Sequence, residues 1–121
     1  MKVFNKHERK ISVSTDDLGS VLDSLSGSND RLWPWETWPP MRFDSPLGKG
    51  SSGGHGPIRY HVSEYVPGQR ITFQFDQSGL VGGLDGRHYF EIISMSNQAL
   101  IRHVVDAKCD LNMWLKWLIL V

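Results

Sequence analysis

The chain has 121 residues and a mass of 13.8 kDa, a size that predicts a single domain over residues 1–121. Its 13 Lys and Arg residues balance its 13 Asp and Glu residues, so it lacks the positive excess with which proteins bind nucleic acid. The single cysteine, Cys109, excludes an internal disulfide and a cysteine-rich zinc site. No run of about 18 apolar residues is present to span a bilayer. We therefore expect a cytoplasmic protein with no nucleic-acid partner, no membrane insertion, no metal site and no cofactor.

The first third of the chain predicts one strand and two short helices. Residues 3–13 combine charged and β-branched side chains, which is typical of a strand exposed on one face. Apolar residues then follow at helical spacing, at Leu18, Val21, Leu22 and Leu25. Asn29 or Asp30 could cap a second short helix that carries Leu32 and Trp33. The prolines that follow, at positions 34, 39 and 40, exclude a longer helix.

The segment from Ser45 to Pro57 has the composition of a loop. It contains five glycines and two prolines, so we expect little regular structure apart from an edge pairing near Phe43. His55 lies within this segment, in the sequence GGHG. It belongs either to a mobile active-site loop or, as we prefer, to a solvated hairpin tip.

Four consecutive strands are predicted between residues 58 and 108. Apolar and polar residues alternate in each run, and turns such as V-P-G-Q separate the runs. This pattern is typical of an antiparallel meander. From about residue 110 the period becomes that of a helix, with apolar positions at Leu111, Trp114, Leu115 and Leu118. The order of strand, short helices, meander and helix predicts an α+β domain.

Several motifs resemble those of one protein superfamily. They are the stretch LWPWETWPPM, the loop ending GHGPIRY, the turn EYVPGQRITFQF and the pair GRHYFEI and LIRHVV. In this order, and over essentially the whole chain, they resemble the SRPBCC superfamily of START-related, birch-pollen-allergen-like and polyketide cyclase/dehydrase-like proteins. The resemblance implies a helix-grip fold, in which a curved antiparallel sheet wraps a C-terminal helix. It also implies a cavity between sheet and helix that takes up an apolar or amphipathic small molecule, lipid-like or polyketide-like.

The predicted C-terminal helix is shorter than this resemblance implies. Leu111 to Val121 would form a helix only about 15 Å long. We expect either that the helix is incomplete because the chain is a truncated product, or that a second copy of the protein covers the missing turns as a homodimer.

Alternation within the predicted strands divides their side chains between a concave face and an outer face. Large rings on the concave face would line the cavity. Trp35 and Trp38 would form a lid at its mouth or, alternatively, fill the space between the short helices and the sheet. The predicted ligand-binding residues are therefore Trp35, Trp38, Tyr60, Phe73, Phe75, His88, Phe90 and His103.

Two histidines, His88 and His103, fall on the concave face of neighbouring strands. Each could be an ordinary core histidine that a backbone carbonyl satisfies. Together in an apolar cavity they could instead orient a ligand or move a proton, so they are the candidate catalytic residues. No Cys, Asp or Glu clearly completes a metal site around them.

Three functions are compatible with this sequence. The first is a binding module that holds an apolar small molecule. The second is a polyketide cyclase- or dehydratase-like enzyme that uses His88 or His103 for proton transfer. The third is an interaction module that docks through the apolar C-terminal segment onto a partner or onto its own copy.

Overall fold

The structure, a computed structural model, describes residues 2–33, 39–56, 58–76 and 85–108. The tryptophans of the predicted lid, Trp35 and Trp38, lie outside these residues. The predicted C-terminal helix, and with it the predicted homodimer contact, also lies outside them. Those three predictions therefore remain predictions.

The described residues form a seven-stranded antiparallel sheet and one α-helix. The elements in chain order are β1 (Lys2–Ile11), α1 (Thr15–Asp23), β2 (Met41–Phe43), β3 (Ser52–His55), β4 (Ile58–Val66), β5 (Arg70–Phe75), β6 (Asp85–Met95) and β7 (Gln98–Lys108). The strand order across the sheet is β1-β7-β6-β5-β4-β3-β2. The predicted α+β class and the curved antiparallel sheet are confirmed. Among the described residues, no helix is long and apolar enough to cross a membrane.

Helix α1 begins where the sequence predicts a cap. The Ser14 hydroxyl accepts a hydrogen bond from the Asp17 backbone N–H at 3.0 Å, which satisfies one of the free donors of the first turn. Asp16 and Asp17 add negative charge at the positive end of the helix dipole. Leu18 and Leu22 are buried, so the apolar stripe of the helix packs inward as its spacing predicts.

The second predicted N-terminal helix is wrong, because α1 is the only helix in the described part of the chain. One carboxylate oxygen of Asp30 accepts hydrogen bonds from the backbone N–H groups of Leu32 and Trp33, both at 2.9 Å. The other oxygen accepts from the Ser26 N–H at 2.8 Å. These bonds hold a series of turns in place of a helix. They also position Trp33, whose indole N–H donates to the Pro39 carbonyl at 2.9 Å.

The glycine-rich segment is more regular than its composition predicts, because it contains strand β3. β3 pairs with β2 on one side and with β4 on the other. Gly53 permits this close pairing, since a Cβ atom there would collide with the Arg42 carbonyl. The prediction of little regular structure was therefore wrong, although the expected edge pairing at Phe43 is present.

The predicted division of side chains between two faces agrees with the burial pattern of the strands. In β4, Ile58, Tyr60 and Val62 are buried while Arg59 is exposed. The concave core also contains Ile71, Phe73, Phe75, Phe90, Val105 and Ala107, together with Leu22, Leu25, Trp33 and Met41. Polar and charged residues predominate on the outer face, so one side of the sheet carries the core and the candidate site.

Candidate ligand-binding site

Strand β6 places His88 inside the aromatic core, where only 3% of the residue is exposed. Its ring stacks on Phe73 with the ring centroids 4.6 Å apart and meets Tyr60 edge to face at 4.5 Å. Phe75 packs against it at 5.1 Å. His88 is thus surrounded by three of the predicted ligand-binding residues.

The two predicted catalytic histidines are in contact. His103 on β7 lies beside His88, with 3.4 Å between His103 Nε2 and His88 Nδ1. The His103 ring stacks on Phe90 at 4.3 Å. Among the described residues, the other ring nitrogen of His88, Nε2, has no hydrogen-bond partner. A buried polar atom without a partner costs about 1–3 kcal/mol, so an ordered water is the expected partner of this atom.

A third histidine belongs to the same cluster and was not predicted as a site residue. His55 Nδ1 lies 2.6 Å from the Tyr60 hydroxyl, and its ring packs on Trp33 at 4.6 Å. The preferred interpretation of His55 as a solvated hairpin tip was therefore wrong. The alternation of Met41 and Phe43 before the loop was a signal, since it indicates a strand that needs a partner.

Burial keeps the cluster uncharged. It lowers the pKa of His55 and of His103 to about 4, and it lowers the pKa of His88 well below its usual value. Burial also raises the pKa of the Tyr60 phenol. All four groups are consequently neutral near pH 7, where each can donate or accept hydrogen bonds without carrying a charge.

A cavity of about 170 Å³ opens beside His103. Its lining residues come from β1, β6, β7 and the turn after α1, and they are His7, Glu8, Arg9, Leu32, Phe90, Ile101 and His103. Two of the predicted ligand-binding residues, Phe90 and His103, are in this lining. Tyr60, Phe73, Phe75 and His88 are not, because they pack against one another as core behind His103.

The other five lining residues were not predicted as ligand-binding residues; they are His7, Glu8, Arg9, Leu32 and Ile101. His7 and Arg9 alternate with Glu8 and Lys10 along β1, so a period of two puts them on one face, but all four are polar and the pattern does not show which face is buried. In the described part of the chain, the cavity included, no group of three or more His, Cys, Asp or Glu residues is arranged to hold a metal ion.

The fold is similar to that of several solved structures. Norcoclaurine synthase of Thalictrum flavum superimposes with a TM-score of 0.70 at 13% identity, over 100% of this chain and 84% of the synthase. CalU16 from Micromonospora echinospora gives 0.61 at 11% identity, over 96% and 74% of the two chains. The Aha1 dimer from Colwellia psychrerythraea gives 0.59 at 16% identity, over 98% and 90%.

These similar structures are SRPBCC-type proteins. The described sheet and helix α1 are consistent with the helix-grip fold that the sequence motifs imply. No protein-family model and no curated protein sequence matches the chain. At these sequence identities the likeness identifies the fold alone.

Proposed function

We propose that residues 1–121 form a ligand-binding domain that holds a small apolar molecule in the cavity beside His103. The observation that carries this proposal is the cavity itself, with its apolar walls of Leu32, Phe90 and Ile101. An apolar cavity of about 150 Å³ binds benzene, whereas drug-sized ligands need about 300–1,000 Å³. A volume of about 170 Å³ therefore fits one aromatic ring, or the ring end of a longer amphipathic molecule.

The histidine pair supplies the polar contact for such a ligand. His103 lies in the cavity wall, and its Nε2 faces His88 Nδ1, so the orientation of the His103 ring is fixed from behind. The remaining nitrogen of His103 can then donate to or accept from a polar group on the ring. This is the arrangement of a binding pocket with mostly apolar walls and few polar groups.

The similar structures support small-molecule binding as a use of this fold. One of them is a norcoclaurine synthase point mutant in complex with a transition-state analogue. That complex is a property of the synthase, and it adds to the proposal only that a helix-grip sheet can hold a small molecule.

Filling the cavity tests the proposal. Ile101→Trp adds a large ring inside the cavity, while Ile93→Trp on the outer face is the matched control. Single-ring compounds, fluorescent fatty acids, sterols and polyketide-like probes would be screened by thermal stabilisation and tryptophan emission. We expect single-ring probes to stabilise the parent and the Ile93→Trp control but not Ile101→Trp. Stabilisation of all three proteins, or of none, would contradict binding in this cavity.

Proton transfer is the second candidate function, because His103 lines the cavity and contacts His88 behind it. A polyketide cyclase- or dehydratase-like enzyme would use one of the two imidazoles as a base. The lowered pKa of about 4 for His103 makes it a weak base near pH 7, where a pKa close to the operating pH is most effective. Binding is therefore ranked first. If the parent, His88→Ala and His103→Ala turned over polyketide or hydroxyacyl substrates at equal rates, proton transfer by these histidines would be excluded.

A further inference from the structure

Strand β1 brings two basic side chains to the mouth of the cavity. In the pairing of β1 with β7, His7 lies opposite His103 and Arg9 lies opposite Ile101. Directly opposed residues of antiparallel strands point to the same face of a sheet. His7 and Arg9 therefore share the concave face with the cavity, and both are part of its lining.

Arg9 has no ion-pair partner among the residues that the structure describes. Glu8, its neighbour in β1, also borders the cavity, but its carboxylate binds Lys6 at 3.1 Å and Arg102 at 3.2 Å on the outer face. The negative charge of Glu8 is thus compensated on the outer face. The histidines behind the cavity are neutral near pH 7. The cavity therefore has apolar walls, and the guanidinium group of Arg9 at its mouth has no negative partner among the described residues.

We infer that the ligand carries a carboxylate next to its apolar ring and that Arg9 binds this carboxylate. The inference rests on the proposed binding in the cavity and adds the chemical class of the ligand to it. Arg presents a planar group of N–H donors that matches a carboxylate in two parallel hydrogen bonds. With the ring against Phe90 and Ile101, a carboxylate on the ring lies toward the mouth, which is where Arg9 is placed.

Benzoate and benzamide test this class because they have the same shape and differ in charge. Binding of each compound would be followed by two-dimensional NMR titration of the parent, Arg9→Gln and Lys10→Gln. Lys10 is the matched control, because it is the next basic residue of β1 and lies opposite Leu100 on the other face. Both substitutions remove one exposed positive charge, so neither is expected to change the fold.

The parent and Lys10→Gln should bind benzoate on the order of 10-fold more tightly than benzamide, as a charge-assisted hydrogen bond provides. The preference should disappear in Arg9→Gln and weaken in the parent at high salt. Equal binding of the two compounds by the parent, or an unchanged preference in Arg9→Gln, would overturn the role of Arg9 and leave the cavity site standing. Failure of both compounds to bind the parent would overturn this inference. If other single-ring probes still stabilised the parent in the cavity-filling experiment, the proposed function would stand without it; if none did, both would fail.

Discussion

The two faces of the sheet are stabilised in opposite ways. On the concave face, Tyr60 and Phe73 are completely buried and the histidines between the aromatic rings are neutral. On the outer face, Glu91 accepts hydrogen bonds from Arg70 at 3.2 Å and from Arg102 at 2.7 Å. The same four strands, β4 to β7, contribute to both faces. Burial therefore determines the kind of polar group on each face. The buried concave face carries neutral polar groups, and the exposed outer face carries paired charges.

The outer face forms a chain of ion pairs across the sheet. Arg102 links Glu91 to Glu8 on β1, and Arg70 links Glu91 to Glu64 on β4. Each pair is partly exposed, so each contributes little to stability by itself. The concave face has a different role, because a cavity there lies beside His103, which contacts His88. The comparison predicts large, pH-dependent effects on the concave face and small, salt-dependent effects on the outer face.

The largest effect is expected from Phe73→Ala. Phe73 is completely buried and contacts Tyr60, His88 and Phe43, so its truncation leaves a cavity in the aromatic core. We expect a loss of about 3–5 kcal/mol in the free energy of unfolding, measured by urea denaturation. Phe4→Ala is the control, because 67% of Phe4 is exposed, and it should change the value by less than about 0.5 kcal/mol. Similar losses in the two variants would contradict the assignment of the core to the concave face.

The next effect concerns pH. Because the folded state lowers the pKa of His103 from 6.5 to about 4, its contribution to stability is complete above pH 6.5. Between pH 6.5 and about 4 the unfolded chain binds a proton that the folded chain does not, so stability is lost as the pH falls. The loss from His103 should reach about 3 kcal/mol.

The variant His103→Gln isolates this contribution from those of the carboxylates. Unfolding free energies of the parent and the variant would be measured from pH 8 to pH 4. The difference between them should change by about 3 kcal/mol over this range and level off above about pH 7. A difference that does not depend on pH would show that His103 titrates normally and is not buried.

A moderate effect is expected from Gly53→Ala. The added Cβ would meet the Arg42 carbonyl across the β2–β3 pair, so the edge strands must separate. We expect a loss of about 1–3 kcal/mol. Gly48→Ala is the matched control, because a Cβ there meets its nearest neighbour, the Pro46 carbonyl, at an ordinary 3.8 Å. Equal stability of the two variants would argue against the strand β3 that positions His55.

The smallest effect is expected on the outer face, from Arg70→Ala. This change removes the ion pairs with Glu64 at 2.9 Å and with Glu91 at 3.2 Å, and the stacking of the guanidinium over Tyr89 at 4.4 Å. The loss should be about 1 kcal/mol at low salt and should shrink in high salt. If Arg70→Ala lost as much unfolding free energy as Phe73→Ala, or if salt did not change its loss, the predicted difference between the two faces would be contradicted.

The strand faces could be predicted from the sequence because alternation is a local property. Ile58, Tyr60 and Val62 alternate with polar residues, and a period of two has one interpretation in a half-buried strand. The same rule brought His88 and His103 to one face, and the structure adds the contact between them. What each ring nitrogen faces depends on side-chain packing, which alternation does not describe.

The features that were missed depend on contacts that are distant in sequence or on single hydrogen bonds. Strand β3 forms because Gly53 lets two backbones approach closely, whereas glycine is usually read as a sign of a loop. The Asp30 carboxylate accepts from the N–H groups of Leu32 and Trp33 as a helix-capping residue does, but no helix follows it in the described residues, so a cap alone does not predict a helix. Arg9 was overlooked because the face of β1 that reaches the cavity is defined by its pairing with β7.

The most direct test of the account is an NMR titration of the protein labelled with ¹⁵N in its histidine rings. A single-ring probe at saturation should shift the ring nitrogens of His103 strongly and those of His88 through their contact. The ring of His61 should not shift, because it lies on the outer face bound to Asp76 at 2.8 Å. Saturation of the protein with no change at His103, or with its largest change at His61, would contradict a ligand site on the concave face.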